Sequence, residues 1–122
     1  MQNKDIIDVA NFQAKFRTFV KERDWDQYHN PKNIAMALTV EAAELLEIFQ
    51  WLSIEEAKEV KDNPEIKEKI SHELADIMVY LMRLADKTNI NLQQAINEKM
   101  VLNAKKYPAN LVKGSNKKYN EY

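Results

Sequence analysis

Apolar residues recur along the chain at the three- and four-residue spacing of amphipathic helices, without the alternation typical of strands. The first such pattern predicts a helix from about Asp5 to Asp24, and its apolar positions are Ile6, Val9, Phe12, Phe16, Phe19 and Val20. The segment "DWDQYHNP" then interrupts the pattern, because it is polar apart from two large rings.

Two Asn-Pro dipeptides, at positions 30–31 and 63–64, predict the starts of the two longest helices. Asn favours the N-cap, and Pro is tolerated at the first helical position because its missing N–H has no partner there. The apolar pattern continues to about Trp51 in the first case and to about Lys87 in the second. The predicted helices are therefore 31–51 and 64–87.

Two pairs with capping-box spacing predict two further helices. Ser53 and Glu56 open a short, charged helix, whereas Asn91 and Gln94 open a last helix that runs to about Lys106. Pro108 ends that helix. The tail, about residues 107–122, is polar and basic and has by itself no reason to be ordered.

Composition agrees with an all-α protein. The 122 residues include one glycine and three prolines, fewer than the turns of a sheet require. With 45% apolar and 30% charged residues, the chain is predicted to be globular, and residues 1–122 are predicted to form one domain. We expect a bundle of four to five helices packed in an oligomer, because so small a domain covers its apolar surface poorly.

Charge and cysteine content exclude several classes of function. A formal net charge of −1 gives no field that would attract nucleic acid or an anionic membrane. There is no cysteine, so disulfides, thiolate metal sites and cysteine nucleophiles are excluded. The N-terminal residues predict no signal peptide, and no apolar run approaches the roughly 20 residues that span a bilayer. These features predict a cytoplasmic protein.

Two pairs of carboxylates lie beside apolar runs on the predicted long helices. Glu41 and Glu44 are three residues apart, and Glu73 and Asp76 repeat that spacing. Packing the neighbouring apolar faces together would bring the two pairs toward each other. Their repulsion and lost hydration would cost several kcal/mol per ion unless something compensates. The apolar neighbours are Leu45, Ile48, Phe49 and Leu52 on one helix and Ile77, Val79 and Leu81 on the other.

A divalent cation would compensate four converging carboxylates. Oxygen ligands select hard ions, and Mg²⁺ is typically held by a few carboxylates together with phosphates and water. The chemistry indicated is phosphoryl or nucleotidyl transfer to water. Two alternatives stand beside this one: an E-x-x-E pair is often only a solvated helix face, and a di-iron carboxylate bundle also uses glutamates. The second needs E-x-x-H on two helices, a pattern that His29 and His72 do not supply.

The two pairs and their spacing resemble a known family. E41-x-x-E44, a gap from Leu45 through His72, and E73-x-x-D76 are similar to the signature of the MazG-like all-α nucleotide pyrophosphohydrolases. The similarity extends from about Phe16 to the C-terminus. The segments that resemble the dCTP pyrophosphatase branch are "ERDWDQYHNPKNIAMAL", "EAAELLEIFQW", "ELADIMVYL", "KMVLNAKKYPANL" and "KKYNEY".

The resemblance implies cleavage of a nucleoside triphosphate to the monophosphate and pyrophosphate, with Mg²⁺ as cofactor. It implies that the catalytic, metal-binding residues are Glu41, Glu44, Glu73 and Asp76. Glu44 or Glu47 would orient the attacking water. Glu47 is also explained by a solvated helix surface.

Three aromatic side chains stand at or beyond helix ends, where a core ring is less expected. The resemblance implies that Trp25, His29 and Trp51 form the pocket for the base and deoxyribose; by themselves, tryptophans are more often structural. Tyr80 follows Asp76 by one turn and would line the same pocket, unless it is simply a buried tyrosine.

Basic and polar residues near the end of the last helix resemble the family's triphosphate contacts. Lys99, Asn103 and Lys106 share one helical face, and Tyr107 follows. Lysines also favour a helix C-terminus without any ligand. The tail could fold over the nucleotide through Lys113, Lys117, Lys118 and Tyr119.

The sequence therefore predicts a Mg²⁺-dependent nucleoside triphosphate pyrophosphohydrolase that clears dCTP or a modified dCTP from the nucleotide pool. By resemblance it would be a homo-oligomer, a tetramer or a dimer, with no nucleic-acid or membrane partner. The alternatives are a related enzyme of other or broad base specificity, such as one acting on dUTP or a noncanonical triphosphate, and a non-catalytic helical interaction module.

Overall fold

The computed structural model describes residues 6–115 and contains helices and no strand within them. The helices are α1 (Val9–Glu22), α2 (Pro31–Phe49), α3 (Ile54–Lys58), α4 (Pro64–Lys87), α5 (Leu92–Lys106) and α6 (Ala109–Val112). Two 3-10 turns, Asp26–Tyr28 and Val60–Asp62, lie between α1 and α2 and between α3 and α4. The prediction of an all-α fold is confirmed.

The predicted caps explain where most helices start. Side-chain oxygens at the N-caps accept hydrogen bonds from backbone N–H groups three residues later, which satisfies donors that have no partner inside the helix. The Ser53–Glu56 pair forms both bonds of a capping box. The other N-caps with such a bond are Asp8, Asn30, Asn63 and Asn91.

Two helices differ from their predicted bounds, and one helix was not predicted. Residues 6–8 are not helical, because the Asp8 side chain caps a helix that begins at Val9. The second helix ends at Phe49, two residues before the predicted end at Trp51. The short α6 was not predicted in the tail; it forms because the Pro108 carbonyl accepts hydrogen bonds from the N–H groups of Leu111 and Val112.

Contacts divide the chain into two compact units, Met1–Asn89 and Ile90–Tyr122. In the first, the most extensive packing is between α2 and α4, and α1 also packs on α4. Four apolar residues of this unit are almost completely buried: Val20, Ile34, Met82 and Ala85. The second unit contains α5 and α6, neither of which has a fully buried residue. That residues 1–122 act as one domain stays a prediction.

Large apolar side chains remain exposed on both long helices of the first unit. Met36, Val40 and Leu46 on α2 are each more than half exposed, as is Leu74 on α4. None of the helices in residues 6–115 combines the length and the apolar character needed to cross a membrane.

Candidate active site

Three carboxylates from α2 and α4 meet where these helices pack. Glu41 lies near the middle of α2, and Glu73 and Asp76 lie one turn apart on α4. Each offers an oxygen atom, and the three oxygens lie within 4.8 Å of one another. Glu41 and Glu73 are half-buried, whereas Asp76 is exposed. The structure therefore brings together three of the four carboxylates that the sequence singled out.

Two oxygens of this cluster lack any partner. Oε2 of Glu41 and Oε2 of Glu73 are buried, and within residues 6–115 neither accepts a hydrogen bond. Burial raises the pKa of Glu41 to about 8, helped by hydrogen bonding of its acid form to Glu73 and Glu44 and by the negative charges of Glu44 and Asp76. The cluster is thus an electrostatically unfavourable arrangement for the protein alone.

The donor set fits a hard divalent cation. All its atoms are carboxylate oxygens, which Mg²⁺ and similar ions prefer over nitrogen or sulfur. A cation would supply the partner that the two buried oxygens lack, and it would remove the repulsion that raises the pKa of Glu41. Glu44 lies outside this three-residue group and is exposed, but its charge reaches Glu41.

A cleft of about 580 Å³ opens beside the cluster between α2 and α4. It is lined by Glu44, Glu47, Ile48, Ile66, Lys69, His72 and Glu73. Lys69 and His72 were given no role from the sequence. A signal was present, since each lies one turn before a clustered carboxylate, Glu73 or Asp76, on α4. The cleft therefore presents a lysine and an imidazole as well as acidic groups.

Tyr80 lies one turn beyond Asp76 on α4 and is half-buried. Its pKa is raised, first by burial and then by the negative charges of Glu41 and Asp76. The phenol is therefore close enough to the carboxylates to experience their charge, as expected for a residue bordering the same site.

Trp25 and His29 are connected by rings of α1. Trp25 packs edge-on against Phe19, with ring centroids 5.9 Å apart, and Phe19 stacks on Phe16 at 5.5 Å. The Phe16 ring in turn faces His29 at 6.3 Å. Trp25 is still 45% exposed, so one end of this aromatic row is available to a ligand. Phe16, predicted only to pack, supports both predicted pocket residues.

The structure also reveals a buried cation that the sequence did not single out. Arg83 on α4 is 4% exposed and contacts both His29 and Asp26. Burial, followed by the positive charge of Arg83, lowers the pKa of His29. The signal that could have found it is spacing, because Asp76, Tyr80 and Arg83 follow one another at four and three residues along one helical face.

Trp51 is placed differently from the other two predicted pocket aromatics. It lies just after α2 and is 87% exposed. Within residues 6–115 no ring contact joins it to Trp25 or His29, and it does not line the cleft beside the carboxylates. The geometry of the first unit therefore does not bring the three predicted pocket aromatics together.

The predicted triphosphate contacts lie in the second unit. Lys99, Asn103 and Lys106 are on α5 at the predicted spacing, with Lys99 and Lys106 exposed. Tyr107 follows the helix, and its backbone N–H donates to the Asn103 carbonyl at 2.9 Å. Lys113 directly follows α6, whereas Lys117, Lys118 and Tyr119 lie outside the described residues.

Three mammalian proteins are similar to nearly the whole chain. The chain is 39% identical over 114 residues to dCTP pyrophosphatase 1 of Homo sapiens, a match that covers 93% of this chain and 65% of the human protein. The proteins of the same name from Bos taurus and Mus musculus are 41% and 40% identical, over 93% of this chain and 66% and 65% of their own lengths. The chain thus spans slightly less than two thirds of the length of these relatives.

A solved structure and a family model agree with these matches. A crystal structure of a pyrophosphatase from Archaeoglobus fulgidus DSM 4304 superposes with a TM-score of 0.76 at 38% identity, covering 88% of this chain and 99% of the archaeal one. The model described as the MazG-like family matches residues 36–122, which include all four predicted carboxylate ligands. The chain belongs to the MazG-like family.

Proposed function

We propose that this protein is a Mg²⁺-dependent nucleoside triphosphate pyrophosphohydrolase that converts dCTP, or a modified dCTP, to the monophosphate and pyrophosphate. The observation that carries the proposal is the cluster of Glu41, Glu73 and Asp76, whose oxygens lie within 4.8 Å of one another. Oε2 of Glu41 and Oε2 of Glu73 are buried, and no group among residues 6–115 donates a hydrogen bond to either. The family and the similarity to dCTP pyrophosphatase 1 support the reaction and the base.

In this proposal Glu41, Glu44, Glu73 and Asp76 would hold the cation, which would neutralise phosphate charge and lower the pKa of bound water. A water oxygen attacks the α-phosphorus, the bond from that phosphorus to the bridging oxygen breaks, and pyrophosphate leaves. The proton of the attacking water passes to a carboxylate. Glu44 and Glu47 both line the cleft beside the cluster, so either can orient that water.

The substrate contacts proposed are those that the resemblance implies. Trp25 offers an exposed ring face for stacking on the base, and His29 offers a polar group for the edge of the base. Tyr80 borders the carboxylates. The resemblance alone assigns Trp51 to the base, since within residues 6–115 it has no ring contact to Trp25 or His29. The phosphates are assigned to Lys99, Asn103, Lys106 and Tyr107.

We further propose a cytoplasmic homo-oligomer, a tetramer or a dimer, that clears unwanted nucleotide from the pool. The exposed apolar residues of α2 and α4, including Val40, Leu46 and Leu74, support an oligomer because a second copy would cover them.

A turnover panel tests the proposed reaction. The purified protein is incubated with Mg²⁺ and each of dCTP, 5-methyl-dCTP, dUTP, dTTP, dATP and dGTP, and the products are separated into pyrophosphate and orthophosphate. We expect pyrophosphate and monophosphate, with the highest kcat/KM for the cytosine nucleotides. Release of orthophosphate would contradict cleavage between the α- and β-phosphates, and equal turnover of all bases would contradict the proposed preference.

Heat stability separates an enzyme from a non-catalytic module. A nonhydrolysable dCTP analogue should raise the unfolding temperature only when Mg²⁺ is present, because ligands that bind the native state alone stabilise it. Asp76→Asn should abolish that rise, whereas Glu68→Gln, at an exposed position of α4 outside the cleft, should keep it.

A further inference from the structure

The guanidinium of Arg83 is the most buried charged group in residues 6–115 and contacts three side chains. Its Nη2–H donates to Oδ1 of Asp26 at 2.9 Å, and its Nε–H donates to Nδ1 of His29 at 3.2 Å. Its Nη1 also pairs with Oδ2 of Asp86 at 3.6 Å. Burying a charged side chain that is only 4% exposed costs free energy unless it has such partners. These contacts therefore compensate the burial of Arg83.

Two of the three contacts of Arg83 are duplicated by other cations. Lys87 donates to Oδ1 of Asp26 at 2.8 Å, and Arg17 donates to both carboxylate oxygens of Asp86 at 2.8 Å. Both carboxylates would therefore keep a partner without Arg83. The contact that Arg83 alone supplies, among the described residues, is the one to His29.

The contact between Arg83 and His29 determines where the imidazole hydrogen lies. An Arg Nε–H can only donate, so Nδ1 of His29 must present its lone pair. The ring is then neutral, and its one N–H is at Nε2. The Phe16 ring stacked at 6.3 Å fixes the plane of the imidazole, and the lowered pKa of His29 agrees with a neutral ring.

We propose that Arg83 is a positioning residue that holds His29 as a neutral ring with one fixed donor, Nε2–H, directed to an acceptor on the edge of a pyrimidine base. This inference rests on the proposed function, and it adds a residue that sets which side of the base is recognised. The carbonyl O2 is an acceptor in both cytosine and uracil, whereas N3 is an acceptor in cytosine and carries an N–H in uracil. A fixed donor directed to N3 therefore pairs with cytosine and faces another donor on uracil.

The position of Arg83 on α4 supports this role. Asp76, Tyr80 and Arg83 share one face of the helix, and Arg83 lies seven positions after Asp76. That separation is about 10 Å along the helix axis. His29 is thus anchored two turns from the proposed cation ligand Asp76, with Tyr80 between them, which leaves room for a sugar between the reacting phosphate and the base.

The first test observes His29 directly and needs neither substrate nor metal. The two ring nitrogens of each histidine are distinguished by ¹⁵N NMR, and because the chain has only His29 and His72, His72→Gln assigns the signals. We expect Nδ1 of His29 to be an unprotonated acceptor and Nε2 to carry the hydrogen across neutral pH. In Arg83→Met the Nδ1 signal should lose its hydrogen-bond shift, and the ring should protonate at a higher pH. The charged groups facing it would then be Asp26, which favours protonation, and Lys87, which opposes it.

Arg17→Met is the matched control. It removes a cation from the same helix pair but leaves the contact between Arg83 and His29 in place, so the His29 signals should not change. Wild-type His29 with its hydrogen on Nδ1, or His29 signals that are unchanged in Arg83→Met, would overturn the proposal. The wild-type measurement shows which ring nitrogen of His29 carries the hydrogen even if Arg83→Met fails to fold.

The second test asks whether Arg83 acts through His29. Arg83→Met should raise KM for dCTP about three- to tenfold, the loss expected for one hydrogen bond, and leave kcat near the wild-type value. His29→Phe should raise KM by a similar factor, and the double variant should be no worse than His29→Phe alone. KM increases that multiply in the double variant would overturn the proposal. If no triphosphate is hydrolysed, the proposed function fails, and the NMR test still decides whether Arg83 fixes His29.

Discussion

Helix α4 carries two groups of charges that are balanced in different ways. Near its middle, Glu73 and Asp76 meet Glu41 of α2, and within residues 6–115 no cationic side chain pairs with any of the three. Near its C-terminal end, Asp86 is held by both Arg17 and Arg83. Both groups contain carboxylates of α4.

The pKa values of the acids in the two groups are shifted in opposite directions. The hydrogen bonds from Arg17 lower the pKa of Asp86, whereas burial and neighbouring acids raise the pKa of Glu41 to about 8. Paired carboxylates of the first kind stabilise a fold, and unpaired ones of the second kind weaken it. An arrangement that weakens the fold marks a site where the partner comes from outside the protein.

The largest expected effect is a loss of activity without a loss of stability, from substitutions in the cluster of Glu41, Glu73 and Asp76. Glu41→Gln or Asp76→Asn should lower kcat/KM for dCTP about a hundredfold or more, because each removes a proposed cation ligand. Far-UV circular dichroism should show unchanged helicity. Glu68→Gln, an exposed substitution of the same type on α4, should keep full activity.

Without added metal, Glu41→Gln should also raise the unfolding temperature by a few degrees, since it removes a poorly solvated acid. Full activity in Glu41→Gln or Asp76→Asn would show that these carboxylates do not hold a catalytic metal.

A smaller effect, on stability, is expected from substituting Asp86, which is paired with Arg17 and Arg83. Asp86→Asn should lower the free energy of unfolding at pH 7 by about 2 kcal/mol, the scale of hydrogen bonds to a charged group, with activity changed far less than in Glu41→Gln. Because the folded pKa of Asp86 lies below its usual 3.8, this stabilisation is present above that pH and is lost as the pH falls through the folded value.

Urea unfolding at pH 7 and near pH 3 measures this loss. The difference between wild type and Asp86→Asn should shrink at the lower pH, whereas Asp62→Asn, at an exposed position, should have little effect at either pH. A difference that stays the same in acid would contradict the role of the ionised pair.

The smallest expected effect is the pH dependence of stability that Glu41 causes. The pKa of Glu41 rises from 4.5 to about 8, so its favourable contribution to folding is complete below about pH 4.5 and is lost as the pH rises through 8. The metal-free protein should therefore have an unfolding temperature a few degrees lower at pH 9 than at pH 6. Millimolar Mg²⁺ should restore it at pH 9, and Glu41→Gln should flatten the dependence. A wild-type profile that matches Glu41→Gln would contradict the raised pKa.

Local signals in the sequence were sufficient to predict five of the helices. Each Asn-Pro pair and capping box predicted a real start, because a cap forms bonds only with its own first turn. The spacing of Glu73 and Asp76 on α4, and of Lys99, Asn103 and Lys106 on α5, likewise follows from helical periodicity alone. Family resemblance added the reaction, which no spacing could specify.

The sequence by itself thus determined five of the helices, the caps of four of them and the faces on which the carboxylates lie, because all of these depend on residues within a turn or two of each other. Only the tertiary structure decided that Glu41 joins Glu73 and Asp76 while Glu44 stays exposed beside them, and that Arg83 is buried against His29. These contacts join residues more than 30 positions apart, and burial, which sets their pKa values, is a property of the packed helices.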